Sequence, residues 1–190
     1  MVCSRTKNVG NELASHNYIL SIDADEALSN ELKEALVEEK AQGLKGAYGF
    51  NRLTNYCGKW IRHCGWYPDK KIRLFPKDSA EWRGAHVHEE LVISPDIDTT
   101  WLKEDLLHFS YYTVIEHRER AMKYARLGAE KVKNKRGLGL KILFSPPFRF
   151  FQMYILQSGF LDGKAGFDIC RITAWEVRMK YKLGLRAPGA

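Results

Sequence analysis

Up to about residue 110 the apolar residues come in short runs broken by Gly, Pro and acids; beyond it they recur every three or four positions. The first regime predicts strands and the second helices. Tyr18-Ile19-Leu20-Ser21-Ile22 reads as a buried strand that runs straight into Asp23-Ala24-Asp25-Glu26. Residues 3–16, ahead of it, read as a helix with basic and polar faces. After the acids, Ser29 is a fitting N-cap, and Glu31 and Glu34 sit near the positive end of a helix dipole. Leu32, Ala35 and Leu36 give that helix one apolar face, and Gly43 and Gly46 end it. Residues 47–56 alternate as a strand does, and 57–62 read as a hairpin turn and return. Residues 65–69 form an aromatic loop, and 71–75 a strand stopped by Pro76. Residues 82–90 read as a polar loop or short strand that 90–93 continues, and a last strand falls within 99–109.

From Thr113 the helical spacing takes over. Residues 113–135 read as one helix dense in Arg, Lys and Glu, closed by Gly137 and Gly139. Residues 140–156 mix aromatics with arginine around Pro146-Pro147, and 158–163 read as a turn. In the last helix, about 165–183, Phe167, Cys170, Ala174, Val177 and Tyr181 make one stripe. The pattern divides the chain into an α/β part, 1–112, and a helical part, 113–190. A length of 190 residues suits one domain with an appendage.

Composition adds a bias in charge. The net charge of +7 favours an anionic partner: nucleic acid, a phosphorylated substrate or a membrane surface. No stretch reaches the roughly 18 uninterrupted apolar residues of a spanning helix. The first residues lack the apolar core of a signal peptide, so a cytoplasmic location is expected. Cys3, Cys57, Cys64 and Cys170 match no zinc spacing and read as reduced thiols.

Two polar clusters carry candidate chemistry. On an extended strand Asp23 and Asp25 share one side, and two carboxylates held together need a cation between them. Mg²⁺ or Mn²⁺ does this and bridges to phosphate; the competing reading is that the acids merely cap the next helix. The second cluster is His86-Val87-His88-Glu89-Glu90, where a carboxylate is a natural general base and the alternative is a solvated loop. Arg73 lies between apolar residues and reads either as a ligand for phosphate or those carboxylates, or as an edge-strand arginine facing solvent.

These residues carry a resemblance. The run 17–29 around Asp23-Ala24-Asp25-Glu26, then Gly65-Trp66-Tyr67-Pro68-Asp69 with Arg73-Leu74-Phe75, then Val87-His88-Glu89, is similar to the bacterial family 2 glycosyltransferases. The branch it most resembles adds sugars to the lipopolysaccharide core. Pro146-Pro147-Phe148-Arg149-Phe150-Phe151 and the segment 159–167 resemble the C-terminal region of those enzymes. The resemblance implies a GT-A fold, a Rossmann-like mixed α/β sandwich, here incomplete at the N-terminus and followed by a C-terminal helical extension. It implies a metal-dependent inverting transfer from a nucleotide-sugar donor to a lipid-linked or core-oligosaccharide acceptor. Asp25 would be the direct ligand of Mg²⁺ or Mn²⁺, and Asp23 would reach the metal or the ribose. Glu89 would be the base, with His88 or Glu90 as its substitutes. Lys7, Asn8, Arg73 and Trp66 would bind substrate, and His108 is a further metal or phosphate contact or a packed core histidine.

The same resemblance implies that the chain starts part-way into the fold, at the helix before the Asp23 strand. A chain lacking the first strands is expected to bind nucleotide-sugars poorly alone. The alternatives are a noncatalytic remnant or half of a split protein and, more distantly, a basic nucleic-acid-binding module, although no RNP, KH or helix-turn-helix pattern is present. A phosphohydrolase using Asp23 and Asp25 ranks lower. Phe148-Arg149-Phe150-Phe151 beside basic helices reads as an anchor on an anionic membrane, giving a peripheral location on its inner face, or as ordinary core packing.

Overall fold

A computed structural model describes residues 4–84, 90–133 and 135–186. It is a mixed α/β structure that divides into two compact units. The first, here the sheet unit, comprises Met1–Arg52 and Asp69–His108; the second, the helical unit, comprises Leu53–Pro68 and Phe109–Ala190.

In chain order the elements begin with α1 (Ser4–Leu13), β1 (Tyr18–Leu20), β2 (Glu26–Leu28), α2 (Asn30–Gln42) and β3 (Ala47–Tyr56). They continue with β4 (Lys59–Ile61), β5 (Lys70–Pro76), β6 (Ala80–Arg83), β7 (Glu90–Ile93) and β8 (Thr99–Tyr111). The helices α3 (Val114–Glu130), α4 (Leu138–Phe151) and α5 (Gly163–Arg186) complete the chain. The larger sheet has the order β1-β5-β3-β8-β2, with β4 paired to β3. The pairs β1–β5, β5–β3, β3–β4 and β2–β8 are all antiparallel. β3 and β4 are joined by a tight hairpin, which makes them antiparallel neighbours, whereas β1–β5 and β2–β8 pair strands distant in the chain.

The core of the sheet unit forms where α2 covers the sheet. Ser29 caps α2 by accepting the Leu32 amide, and Gly43 ends it with φ near +87°, where a side chain would be strained. The helix thereby lays Leu32 against Tyr48, Phe50, Leu74 and Leu106, all buried. Full burial of such a side chain contributes about 1.5–3 kcal/mol. α1 has no buried residue and is fastened to the two-stranded β6–β7 sheet by polar contacts. Asn8 both donates to the Trp82 carbonyl (3.0 Å) and accepts the Trp82 amide (2.8 Å).

One irregularity shapes the site. Tyr48 pairs with Leu74 and Gly49 with Ile72, so Arg73 is left over as the extra residue of a β-bulge. Bulges re-aim side chains. On its other side the Arg73 carbonyl accepts the Ser21 amide at 2.8 Å, continuing the β1–β5 register one residue past Leu20.

The helical unit is built on α5. α3 starts with a capping box: the Thr113 hydroxyl accepts the Glu116 amide while the Glu116 carboxylate accepts the Thr113 amide. It ends at Glu130, earlier than its charge pattern suggests, and Gly137 begins α4 with φ near +74°. α4 continues through Pro146 and Pro147 and opens into a π-helical turn over Gln152–Leu156. α5 packs against both α3 and α4 and therefore buries more than one stripe. Ile169, Cys170 and Ile172 are buried, while Phe167, expected in the core, is exposed. Gly166 is required here, because a Cβ would lie 2.0 Å from the Gly159 carbonyl oxygen. Among the described residues no helix is long and apolar enough to cross a membrane.

Candidate functional site

The run Tyr18–Leu20 ends before the acids. Asp23, Ala24, Asp25 and Glu26 form a turn rather than the end of a strand, closed by the Glu26 amide donating to the Asp23 carbonyl at 2.9 Å. The expectation that Asp23 and Asp25 share one side of a strand is therefore corrected. The turn sends them to different partners.

Asp23 faces two cations. Its Oδ2 accepts from Arg73 Nη2 at 2.8 Å and its Oδ1 from Lys7 Nζ at 3.1 Å. Burial raises the Asp23 pKa, but Arg73 and Lys7 outweigh it and hold the carboxyl below its ordinary value. Lys7 also lies over the Trp82 ring, 4.1 Å from its centroid. Arg73 is 4% exposed, and the same Nη2 donates to Glu26 Oε1 at 2.5 Å. Its Nε is buried and has no hydrogen-bond partner among the described residues. Glu26, whose side chain is fully buried, also accepts from Arg52 Nη1 (3.3 Å) and from the Asp23 amide (3.0 Å).

The cluster extends through Arg52. Its Nε and Nη2 donate to Asp69 Oδ2 at 2.9 and 2.7 Å, and Lys71 Nζ lies 2.9 Å from Asp69 Oδ1. Burial opposes ionisation of Asp69, but Lys71 and Arg52 prevail and lower its pKa. Asp25, half-exposed, stands apart from these cations and has its Oδ2 3.4 Å from His108 Nε2. Burial and the nearby Arg52 lower the His108 pKa, against the opposing pull of Asp25 and Glu26. That shift favours the neutral imidazole.

Lys7, Asp23 and Arg73 are thus brought together within the sheet unit, while Asp25, on the same turn, meets His108 instead. Asn8 is spent on β6. Trp66 belongs to the helical unit, where its ring packs against Tyr56, Tyr111 and His117. Glu89 and His88 lie outside the described residues. Arg52 and Lys71 join the site beyond the residues expected in it. Arg52 carries a signal, a lone charge in the otherwise uncharged strand 47–56.

Among the described residues no three His, Cys, Asp or Glu side chains are grouped as a ready metal cage. The available donors are Asp25, an exposed carboxylate, and His108, a neutral imidazole facing it. That mixed oxygen and nitrogen pair fits a divalent cation, Mn²⁺ better than Mg²⁺. Asp23 fits such a role only by exchanging its bonds to Lys7 and Arg73. No protein-family model matches the chain.

Proposed function

We propose that this chain carries the catalytic residues of a metal-dependent inverting glycosyltransferase on a GT-A fold. The donor is a nucleotide-sugar, and the acceptor is a lipid-linked or lipopolysaccharide-core oligosaccharide. The observation that supports this reading is the pairing of Asp25 with His108 beside the Asp23–Arg73–Lys7 cluster. A carboxylate and a neutral imidazole supply cation ligands, and two cations nearby suit a diphosphate.

Asp25 and His108 would hold Mn²⁺ or Mg²⁺, which supplies Lewis-acid neutralisation of a departing diphosphate. Arg73 and Lys7 exchange part of their hold on Asp23 for phosphate oxygens, and the unspent Arg73 Nε–H adds a donor. Asp23, kept ionised by those cations, accepts from a ribose hydroxyl. Arg52, tied by two bonds to Asp69, positions Glu26 and through it Arg73. On the sequence pattern Glu89 takes the proton of the acceptor hydroxyl, with His88 beside it. The acceptor oxygen then bonds to the anomeric carbon as the bond to phosphate breaks, its electron pair leaving on the diphosphate.

The test is release of nucleoside diphosphate from a panel of nucleotide-sugars with Mn²⁺ and core-oligosaccharide acceptors. Release is expected to be slow in the chain alone, to require Mn²⁺, and to fall about tenfold or more in Asp25→Asn. Equal release by both proteins sinks the reading. The charge balance favours a second reading, because the carboxylates of Asp23, Glu26 and Asp69 are all met by cations of the same unit, as in a structural ion-pair lattice. On that reading the chain is a noncatalytic partner of another polypeptide, and Asp25→Asn changes nothing.

A further inference from the structure

The helical unit turns a continuous apolar face to the outside. Leu140, Phe144, Phe148, Phe151 and Ile155 lie along α4 and the π-helical turn that follows it, spaced by three and four. Phe144 and Phe148 are 63% and 64% exposed. At 100° per residue these positions and Leu143 occupy about 140° of the circumference, the width of a stripe that a globular helix usually buries. The other side of the same segment is already used: Leu138, Pro146 and Met153 are buried. Leu156, Phe160 and Leu161, which follow in the chain, are exposed as well. A contiguous apolar patch of this kind marks an interaction surface.

Charge identifies what covers it. The helical unit holds 18 Lys and Arg against 6 Asp and Glu, a net +12, whereas the sheet unit holds 12 against 17, a net −5. In the same stretch of chain the imbalance is sharper. Between residues 135 and 164 four cations are exposed, Lys135, Arg136, Lys141 and Lys164; Arg149 is half-buried and bonded to Gln152, and the single acid, Asp162, is buried. A second copy of the chain would set +12 against +12. A nucleic acid would match the charge but not a face of leucine and phenylalanine. A bilayer with anionic headgroups matches both. The segment is too short and too interrupted to span, so it lies in the plane of the interface.

We propose that α4 and the turn after it dock on an anionic lipid bilayer. Phe144, Phe148 and Phe151 enter the boundary between headgroups and acyl chains, and the surrounding lysines and arginines meet the headgroups. This does not rest on the transferase reading, since it uses no residue of the sheet unit.

The test is flotation of the full chain with vesicles of phosphatidylcholine alone and of phosphatidylcholine mixed with phosphatidylglycerol. The wild type is expected to float with the anionic vesicles at least about tenfold better than with the neutral ones, and less well as NaCl rises from about 0.1 to about 0.5 M. Phe144→Ser/Phe148→Ser, with circular dichroism unchanged, is expected to lose binding by about tenfold or more. Lys135→Glu/Arg136→Glu/Lys141→Glu, which leaves the stripe intact, is expected to lose the preference for phosphatidylglycerol. Equal flotation with neutral vesicles, or wild-type flotation by the Phe144→Ser/Phe148→Ser variant, overturns the proposal. So does a wild type that stays with the unbound fraction and sediments as a dimer that Phe148→Ser dissociates; the stripe would then be a contact between copies.

Discussion

Replacing Arg73 with methionine keeps most of the side-chain volume and removes the guanidinium that Asp23 and Glu26 share. The cost falls on Glu26. Its side chain is fully buried, and without Arg73 its carboxylate keeps only Arg52 at 3.3 Å and the Asp23 amide at 3.0 Å. Breaking a buried pair by removing one partner costs about 3–5 kcal/mol, because the remaining charge is left uncompensated. Arg52 still neutralises part of it, which places Arg73→Met near the bottom of that range, about 3 kcal/mol. Asp23 adds little, since its side chain is 36% exposed and retains Lys7. Glu26→Gln removes the charge and keeps the shape, and should cost about 1–2 kcal/mol. In the double variant no buried charge is stranded. A double-mutant cycle should therefore show a coupling of about 2 kcal/mol, well above the roughly 0.5 kcal/mol scatter of independent sites. The assay is urea unfolding followed by far-ultraviolet circular dichroism, with the free energy extrapolated to water. A cost under about 1 kcal/mol for Arg73→Met, or additive single changes, would refute the claim that this bulge-aimed arginine holds the turn. Acid titration gives a second readout. Asp23 has a lowered pKa in the fold, so its contribution is present above its ordinary pKa and is lost as pH falls through the folded value. Arg73→Met should move that acid loss to higher pH.

Two further outcomes concern the helical unit. His117 is buried against the Tyr56 hydroxyl at 3.1 Å, and burial, helped by Arg120, lowers its pKa to about 4. A depressed histidine stays neutral in the fold and takes up its proton on unfolding, so stability should fall as pH drops from about 6.5 to about 4, by roughly 3 kcal/mol in all. His117→Gln should flatten that part of a pH series of urea midpoints; an unchanged slope would show that another group is responsible. Thr113→Ala removes the hydroxyl that caps α3 and should cost about 1 kcal/mol in thermal or urea unfolding, with Thr113→Asn close to wild type. Equal stability of the alanine and asparagine variants would mean that the cap adds nothing here.

What the sequence announced and what it hid divide along the range of the interactions. The strand 47–56 and its hairpin, the Ser29 cap with the Gly43 stop, and the start of α3 at Thr113 are set by neighbours in the chain, and the pattern placed them well. The turn at Asp23–Glu26 was misjudged as strand because its cause is distant. Arg73, 50 residues on, draws Asp23 and Glu26 to one nitrogen. Nothing local to Ser21-Ile22-Asp23 forbids a strand. The partner of Asp25 was hidden for the same reason: His108 was noted as a histidine at a strand end, but only the β2–β8 pairing, with Glu26 opposite His108, brings it to the turn. In the helical unit Cys170 of the expected stripe is buried, but Phe167 is not. α5 packs on two helices, α3 and α4, so burial extends beyond the stripe to Ile169 and Ile172. At Pro146-Pro147 the residues that usually break a helix do not end α4, and its exposed face on either side is one surface.

The most direct test of the central claim, that the Asp23–Glu26 turn and His108 form a cation and diphosphate site, is a titration of Mn²⁺ into the full chain followed by electron paramagnetic resonance of the free ion. It is made with and without uridine diphosphate, on wild type, Asp25→Asn and His108→Gln. The diphosphate is expected to strengthen Mn²⁺ binding in the wild type, and each substitution to weaken it by about tenfold or more while leaving urea stability within about 1 kcal/mol. Mn²⁺ binding identical in all three proteins, or unaffected by the diphosphate, would contradict it and leave the cluster as a structural ion-pair lattice.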